Sequence, residues 1–441
     1  MLDITLFRDE KTAELIKQSE KKRFAKNNNV DLVIKLDTDW RKLKHKHDNI
    51  NKQNNLIKLA LKDKNQKKIF SGKEDLDKNY DLYEFTQDEI KDLSIKQLNK
   101  LKLLVETETE KIKSETVNLE LERNKALFGI GNIVHSNCPF SDDEDDNKII
   151  NTYGICKEES LKHHEIMEKL GLNTKAGGKT FGARGYYLIG DLVLLNNALI
   201  AYSLDFLINK GFEPVYPPVM MNKETMKKCS QLEEFDEVLY KVTDNDENNE
   251  KYLIATSEQP LTALHQDENL KDLPIKYCGV SECFRKEAGS HKDQNGIFRV
   301  HQFTKIEQFC ITKPDESMKV FDAMIKNCEE FYQSLKIPYR VVSIVSGKLN
   351  NSAALKYDLE AWFPASKAFR ELVSCSNCTD YQSRRLNIKH NNKYVHMLNA
   401  TLCATTRTMC CIVESYQTKD GVIVPDVLKK YINKDFLKYK Y

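Results

Sequence analysis

The residues best suited to chemistry lie in three segments. In 282–309, ECFRKEAGSHKDQNGIFRVHQFTKIEQF, Arg285 and Glu287 stand two apart in a strand-like run. Strand alternation predicts both on one face. A guanidinium beside a carboxylate on a β floor suits an anionic phosphate and an adenine amino group; the same pair would equally make a surface ion pair. A polar loop with Gly289 and Gly296 follows, then a returning strand predicted to carry Phe298, Val300, Gln302 and Glu307. In 396–417, HMLNATLCATTRTMCCIVESYQ, the pattern reads strand, turn, helix. Arg407 falls a turn or more into that helix, in a small and apolar run. A charge there needs a partner, either a buried acid or a phosphate. In GFEPVYPPVM (211–220), three prolines force an extended chain, either a strand edge on the core or a subunit interface.

These segments need a scaffold, and the sequence predicts one of mixed type. YLIATS (252–257), YRVVSIVS (339–346) and GIFRVHQFTKIEQFCI (296–311) read as strands, while Gly190–Lys210 and Ser317–Leu335 read as amphipathic helices. The order lacks a βαβ rhythm, which favours α+β with a mostly antiparallel sheet. The first part of the chain differs. All ten prolines lie at or after Pro139, and Gly72 is the single glycine before Leu127. A helix is predicted over Asp31–Lys68, with Leu36, Trp40, Leu43, His47, Ile50, Asn54, Ile57 and Leu61 recurring every three or four residues. A second is predicted over Asp88–Asn124, seamed by Leu98, Leu101, Val105, Ile112 and Leu119. Paired, they would form an antiparallel hairpin arm of roughly 55 Å. Residues 21–68 hold 15 Lys/Arg and 5 Asp/Glu, a net of +10; residues 74–122 hold 7 and 14, a net of −7. Either the two helices neutralise each other or the basic one faces a phosphate backbone. The acidic stretch SDDEDDN (141–147) reads as the boundary between arm and body.

Several classes are excluded or disfavoured. A net charge of +2 over 441 residues excludes a generally basic coat. No uninterrupted apolar run approaches a membrane span, and MLDITLFRDE has acids where a secretory leader would have bases, so no membrane is expected. Twelve cysteines include one close pair, Cys375 and Cys378 in CSNC. With no second pair, structural zinc is not expected. AGGKT (176–180) lacks the leading glycine of a phosphate-binding loop, and the GxG at Gly129 fails its third position. His163–His164 reads as a solvated helix face.

The strings MLDITLFRDE, YLIATSEQPLTALH, FRKEAGSHKDQNGIFRVHQFTKIEQF, DLEAWFPASKAFRELVSCSNCTDYQSRRL and MLNATLCATTRT resemble those of the class II aminoacyl-tRNA synthetases, and among them the seryl-tRNA synthetases of the eukaryotic cytosolic type. The three segments above look like the family's motifs 2, 3 and 1, and the resemblance spans nearly the whole chain. It implies a class II antiparallel sheet flanked by helices, preceded by an antiparallel coiled-coil arm. Residues 1–138 would be the tRNA-binding arm and 139–441 the catalytic domain. The implied activity is that of a cytoplasmic serine–tRNA ligase, a homodimer that uses ATP and Mg²⁺ to make seryl-adenylate and then esterifies the 3′ end of tRNA(Ser).

The resemblance also implies roles. Arg285 would contact the α-phosphate and the serine carboxylate, Glu287 the adenine amino group, and Phe303 would stack on the base. Lys286, Val300, His301, Gln302, Leu372 and Val373 would complete the ATP site. Arg407 would hold the γ-phosphate side of a bent ATP, and Glu371 and Ser374 would ligate Mg²⁺. L-serine would sit on Thr256, Glu258, Glu307 and Asn399, with Thr401 closing the pocket. The arm would grip the long variable arm of tRNA(Ser) bound at the partner subunit. Some relatives carry a lysine-rich extension after the last helix; functions tied to one are not expected from DFLKYKY.

Overall fold

The computed structural model describes residues 1–26, 29–67, 72–230, 238–243, 250–287 and 295–440. Part of the predicted loop after Arg285, with Gly289, lies outside these, as does Lys68. The chain divides into two compact units: residues 3–17 with 26–130, and residues 1–2, 18–25 and 131–441. The acidic stretch 141–147 falls inside the second unit, where Ser141 O accepts from Gly347 N–H and Asn147 Oδ1 accepts from Val345 N–H at 3.0 Å.

The first unit is built on α2 (Asn29–Gln66) and α4 (Ile95–Phe128), with the first part of α1 (Glu10–Lys22), as far as Lys17, and a short α3 (Gln87–Ile90). Ile50 and Ile57 of α2 pack fully buried against Leu98, Leu101 and Val105 of α4. The helices run antiparallel: Asp37, near the start of α2, pairs with Arg123, near the end of α4, at 3.2 Å. The second predicted helix is interrupted. Thr86 caps α3 and Ser94 caps α4, each in a reciprocal box with Glu89 or Gln97, which satisfies backbone donors at each new start.

The second unit holds an eight-stranded sheet. Its strands are β1 (Lys148–Tyr153), β2 (Glu213–Val215), β3 (Ile275–Phe284), β4 (Gln302–Thr312), β5 (Tyr339–Ser343), β6 (Leu355–Phe363), β7 (Ala368–Asn377) and β8 (His396–Ala404). Their order is β1-β5-β6-β7-β8-β4-β3-β2. Every pair is antiparallel except β2 with β3. Helices α5 (His163–Leu170), α6 (Asp191–Ile208), α7 (Ser317–Ser334) and α8 (Thr405–Ser415) cover one face. Leu195 and Leu199 of α6, Phe321 and Phe331 of α7 and Met409 and Ile412 of α8 form the core with Leu359, Val373 and Leu398. The α+β architecture agrees with the sequence.

Several local expectations are corrected. The strand at 252–257 ends at Leu253, and that at 339–346 ends at Ser343. β4 starts only at Gln302, so Phe298 and Val300 precede it, after a turn in which Gly296 takes φ 76°. Helix α6 is long and apolar enough to span a membrane by length and composition, with mean hydropathy 1.5 over 18 residues. Its asparagines, serine and aspartates interrupt apolar runs without lowering the average enough, and one face packs into the core. His163 is buried rather than solvated: its Nδ1 lies 2.8 Å from Glu414 Oε1, and its backbone N–H donates to the same oxygen at 2.9 Å.

Candidate active site

The open face of the sheet carries a cavity of about 350 Å³, walled by β4, β6, β7, β8, the start of α8 and the segment that follows β3. It gathers Thr256, Glu258, Arg285, Glu287, Val300, Phe303, Glu307, Glu371, Leu372, Ser374, Asn399, Thr401 and Arg407 from segments far apart in sequence. Lys286, His301, Gln302 and Val373 do not line it. Val373 faces the core, His301 Nδ1 lies 2.9 Å from Arg285 O, and Gln302 donates to Glu282 at 3.0 Å. Phe298, expected on the returning strand, also lines the cavity, as do Arg299, Lys305, Asn350, Lys356, Ser376, Ala404 and Thr406, to which the sequence assigns no role. Lys305 and Lys356 were findable: each stands two residues before an acid, Glu307 or Asp358, and so on the same strand face.

Two one-residue irregularities decide which side chains face inward. Glu371 and Ser374 are three apart, a spacing that would put them on opposite faces of a regular strand. In β7, however, Val373 pairs with Leu359 and Glu371 with Glu360, so Leu372 is extra. This bulge brings Glu371 and Ser374 to one side. In β8, Leu402 is extra in the same way, between the pairs Thr401–Glu307 and Cys403–Ile306. It turns Ala404 onto the cavity side beside Lys305, its partner in register. Arg407 is the third residue of α8, which follows β8 with no intervening turn. Its Nη1 donates to Glu371 O at 3.2 Å and lies 3.7 Å from Glu371 Oε1, and its guanidinium stands 5.0 Å from the Phe298 ring centre. Arg285 lies just past β3. Its N–H donates to His301 O at 2.9 Å, and its guanidinium stands 5.4 Å from the Phe303 ring. Glu287 is not in a strand with it: its backbone has φ 49°, and its carboxylate takes a 3.0 Å bond from Arg299.

At the floor, Glu307 accepts from the Thr256 hydroxyl at 2.5 Å, the Ser257 hydroxyl at 2.8 Å, Lys305 at 2.9 Å and the Glu258 N–H at 3.1 Å. Gly279 makes this approach possible, since a Cβ there would lie 2.6 Å from Ser257 Oγ. Burial pushes the Glu307 carboxyl up, but Lys305 and the hydroxyls outweigh it and hold it below its ordinary value. Glu371 is also lowered: desolvation acts upward and is outweighed by Arg407 first, then Lys356, Arg285 and Arg299. Asp358, in register opposite Ser374, is raised by burial, with Lys356 opposing at 3.1 Å and Glu371 adding. The cavity thus sets oxygen ligands against a ring of guanidinium and ammonium groups, as a polyanion with a bound cation would require.

The family model of the tRNA synthetase class II core domain (G, H, P, S and T) matches residues 240–416, and that of the seryl-tRNA synthetase N-terminal domain matches residues 1–104. The cytoplasmic serine–tRNA ligases of Homo sapiens and Bos taurus are each 47% identical over 459 residues, covering 98% of this chain and 89% of each of theirs. The chain belongs to the seryl-tRNA synthetase family. It is accordingly a class II aminoacyl-tRNA synthetase, a ligase, with the function of a serine–tRNA ligase. The fold agrees throughout. The crystal structure of cytoplasmic serine–tRNA ligase from Naegleria fowleri, in complex with AMP, is similar at TM-score 0.88 and 48% identity, covering 100% of this chain and 99% of that one. The seryl-tRNA synthetase of Pyrococcus horikoshii, complexed with ATP, is similar at TM-score 0.87 and 36% identity over the full length of both.

Proposed function

We propose that this synthetase activates L-serine with ATP and then transfers the seryl group to the 3′ end of tRNA(Ser). The observation that carries the reading is the meeting, in one cavity, of Arg285, Glu287, Phe303 and Arg407 with Thr256, Glu258, Glu307 and Asn399. The serine carboxylate attacks the α-phosphorus and diphosphate leaves; a terminal ribose hydroxyl of the tRNA then attacks the seryl carbonyl and AMP leaves. The attacking carboxylate is already ionised, so the first step needs no general base. Arg285 neutralises charge growing on the α-phosphate and Arg407 that on the leaving phosphates. Glu287 accepts from the adenine amino group and Phe303 stacks on the base. Held this way, the reactants meet without paying the entropy of encounter again.

Glu371 and Ser374 fit a magnesium ion, since the bulge at Leu372 aims two hard oxygen ligands to the same side. The ion would neutralise phosphate charge. Residues 1–138 would serve tRNA, and 139–441 catalysis. In the first unit, Lys44, Lys52, Lys58 and Lys62 are exposed and, among the described residues, form no ion pair. This favours the phosphate-facing reading of α2 over mutual neutralisation. Val193, Leu194 and Ile208 of α6 and Tyr216 of the proline-rich segment are exposed apolar residues, which supports a homodimer through that face. The cytoplasm is its place of action, as the names of its relatives indicate.

Amino-acid-dependent ATP–diphosphate exchange tests the reading, with serine, threonine, alanine and glycine compared in the absence of tRNA. Exchange driven by serine alone is expected. No exchange with serine in a folded protein would overturn it.

A further inference from the structure

The cluster at the cavity floor carries a hydrogen-bond count that divides the work of reading serine, an argument that rests on the function just proposed. A hydroxyl offers one hydrogen and two lone pairs. The Thr256 hydroxyl gives its hydrogen to Glu307 Oε2 at 2.5 Å, and accepts from Lys305 Nζ at 2.7 Å and from the Glu258 N–H at 3.2 Å. Thr256 is therefore saturated from within the chain. Glu307 Oε2 is filled by Thr256, Ser257 and the shared Glu258 N–H. Glu307 Oε1 takes Lys305 Nζ alone among the described residues, at 2.9 Å, which leaves one acceptor position. Lys305 has three hydrogens, of which Thr256 and Glu307 take two. What remains is one donor and one acceptor on neighbouring atoms of two buried side chains, 5% and 2% exposed, in the cavity wall.

We infer that Lys305 and Glu307 together read the serine hydroxyl, Glu307 Oε1 accepting its hydrogen and Lys305 Nζ donating to its oxygen. Only a group that gives and accepts at a single atom satisfies both places. An ammonium has no lone pair and would lie against the Lys305 charge. The α-ammonium therefore belongs to Glu258, whose Oε1 accepts from the buried Gln382 amide at 2.8 Å. Lys305 is thereby a specificity-determining residue. Thr256 becomes a positioning residue, holding the pair rather than touching serine. Alanine leaves both places unfilled in a buried site, and a thiol fills them weakly.

The test measures equilibrium binding of two non-reactive adenylate analogues, seryl- and alanyl-sulfamoyl adenosine, to the full-length protein. In wild type the seryl analogue binds more tightly. Lys305→Met is expected to reduce that preference by about 10- to 100-fold, the range for a hydrogen bond to a charged group, seryl binding weakening more than alanyl binding. Lys305→Arg, which keeps a charged donor, retains part of the preference. Because Lys305→Met strands a buried carboxylate, Lys305→Met/Glu307→Gln repeats the measurement without the uncompensated charge and is expected to lose the preference too. An unchanged preference in both methionine variants, or equal weakening of the two analogues, overturns the inference while leaving the proposed function intact. Failure of wild-type protein to bind the seryl analogue overturns both.

Discussion

The two compact units use charge in opposite ways. In the first, charge stays outside a thin apolar seam. Lys96, Lys100, Lys102, Lys111 and Lys113 of α4 each pair with a nearby acid, while Lys44, Lys52, Lys58 and Lys62 of α2 are exposed and, among the described residues, form no ion pair. The buried exceptions include Asp37 and Arg123, which pair at 3.2 Å, with Arg8 at 2.8 Å and Arg41 at 3.7 Å from Asp37. In the second unit, charge is carried inward on the sheet, with Lys305, Glu307, Glu371 and Arg407 gathered around one cavity. A surface meant for a long, hydrated polyanion needs many weak, adaptable charges. A surface meant for one small transition state needs few, and needs them fixed.

The sharpest way to break this comparison is Arg285→Ala. Serine-dependent exchange should fall by about 10³-fold or more, with the thermal transitions of both units unmoved. Exchange within threefold of wild type would refute the phosphate role. Next is Asp37→Ala, which strands the buried Arg123 guanidinium and should destabilise the first unit by about 3 kcal/mol, read by denaturant unfolding. The arginines hold Asp37 below its ordinary carboxylate value, against burial. A depressed folded value means stability that is present above the unfolded value of 3.8 and lost as pH falls through the folded one. Wild-type stability should therefore drop below about pH 4, and the drop should be shallower in the variant.

A smaller effect comes from changing Lys44, Lys52, Lys58 and Lys62 together to glutamine. Aminoacylation of tRNA should weaken about tenfold and become less salt-dependent, while exchange stays at the wild-type rate. Equal loss in both assays would place those lysines in the fold rather than on RNA. The smallest is Asn54→Leu. Asn54 occupies a seam position of α2, and its buried Oδ1 has no partner among the described residues. Leucine should stabilise the first unit by about 1 kcal/mol, without changing exchange.

How much was legible in the sequence follows the same divide. The seam of α2 is local and periodic, and Leu36, Ile50 and Ile57 are buried as their spacing requires. The break before α4 was written as Ser94 and Gln97, a capping pair that the long apolar pattern masked. In the second unit the motif strings brought most site residues together, yet their directions depended on partners. Nothing in ELVS announces that Leu372 is extra, because the evidence lies in the opposing strand at Leu359 and Glu360. Lys305 was visible beside Glu307, but its importance lies in Thr256, 49 residues away in sequence. His163 looked solvated next to His164 because Glu414, which buries it, is 251 residues further on.

The extra residue at Leu372 has an evolutionary corollary. Its loss by deletion would leave Glu371 and Ser374 two apart, with Glu371 still opposite Glu360, so a regular strand would keep both on the cavity side. A residue gained opposite it in β6, drawing Leu372 into the ladder, would instead turn Glu371 toward the helices. Changes of length are therefore unequal here: the strand can lose its extra residue and keep its faces, but cannot pair that residue and keep them.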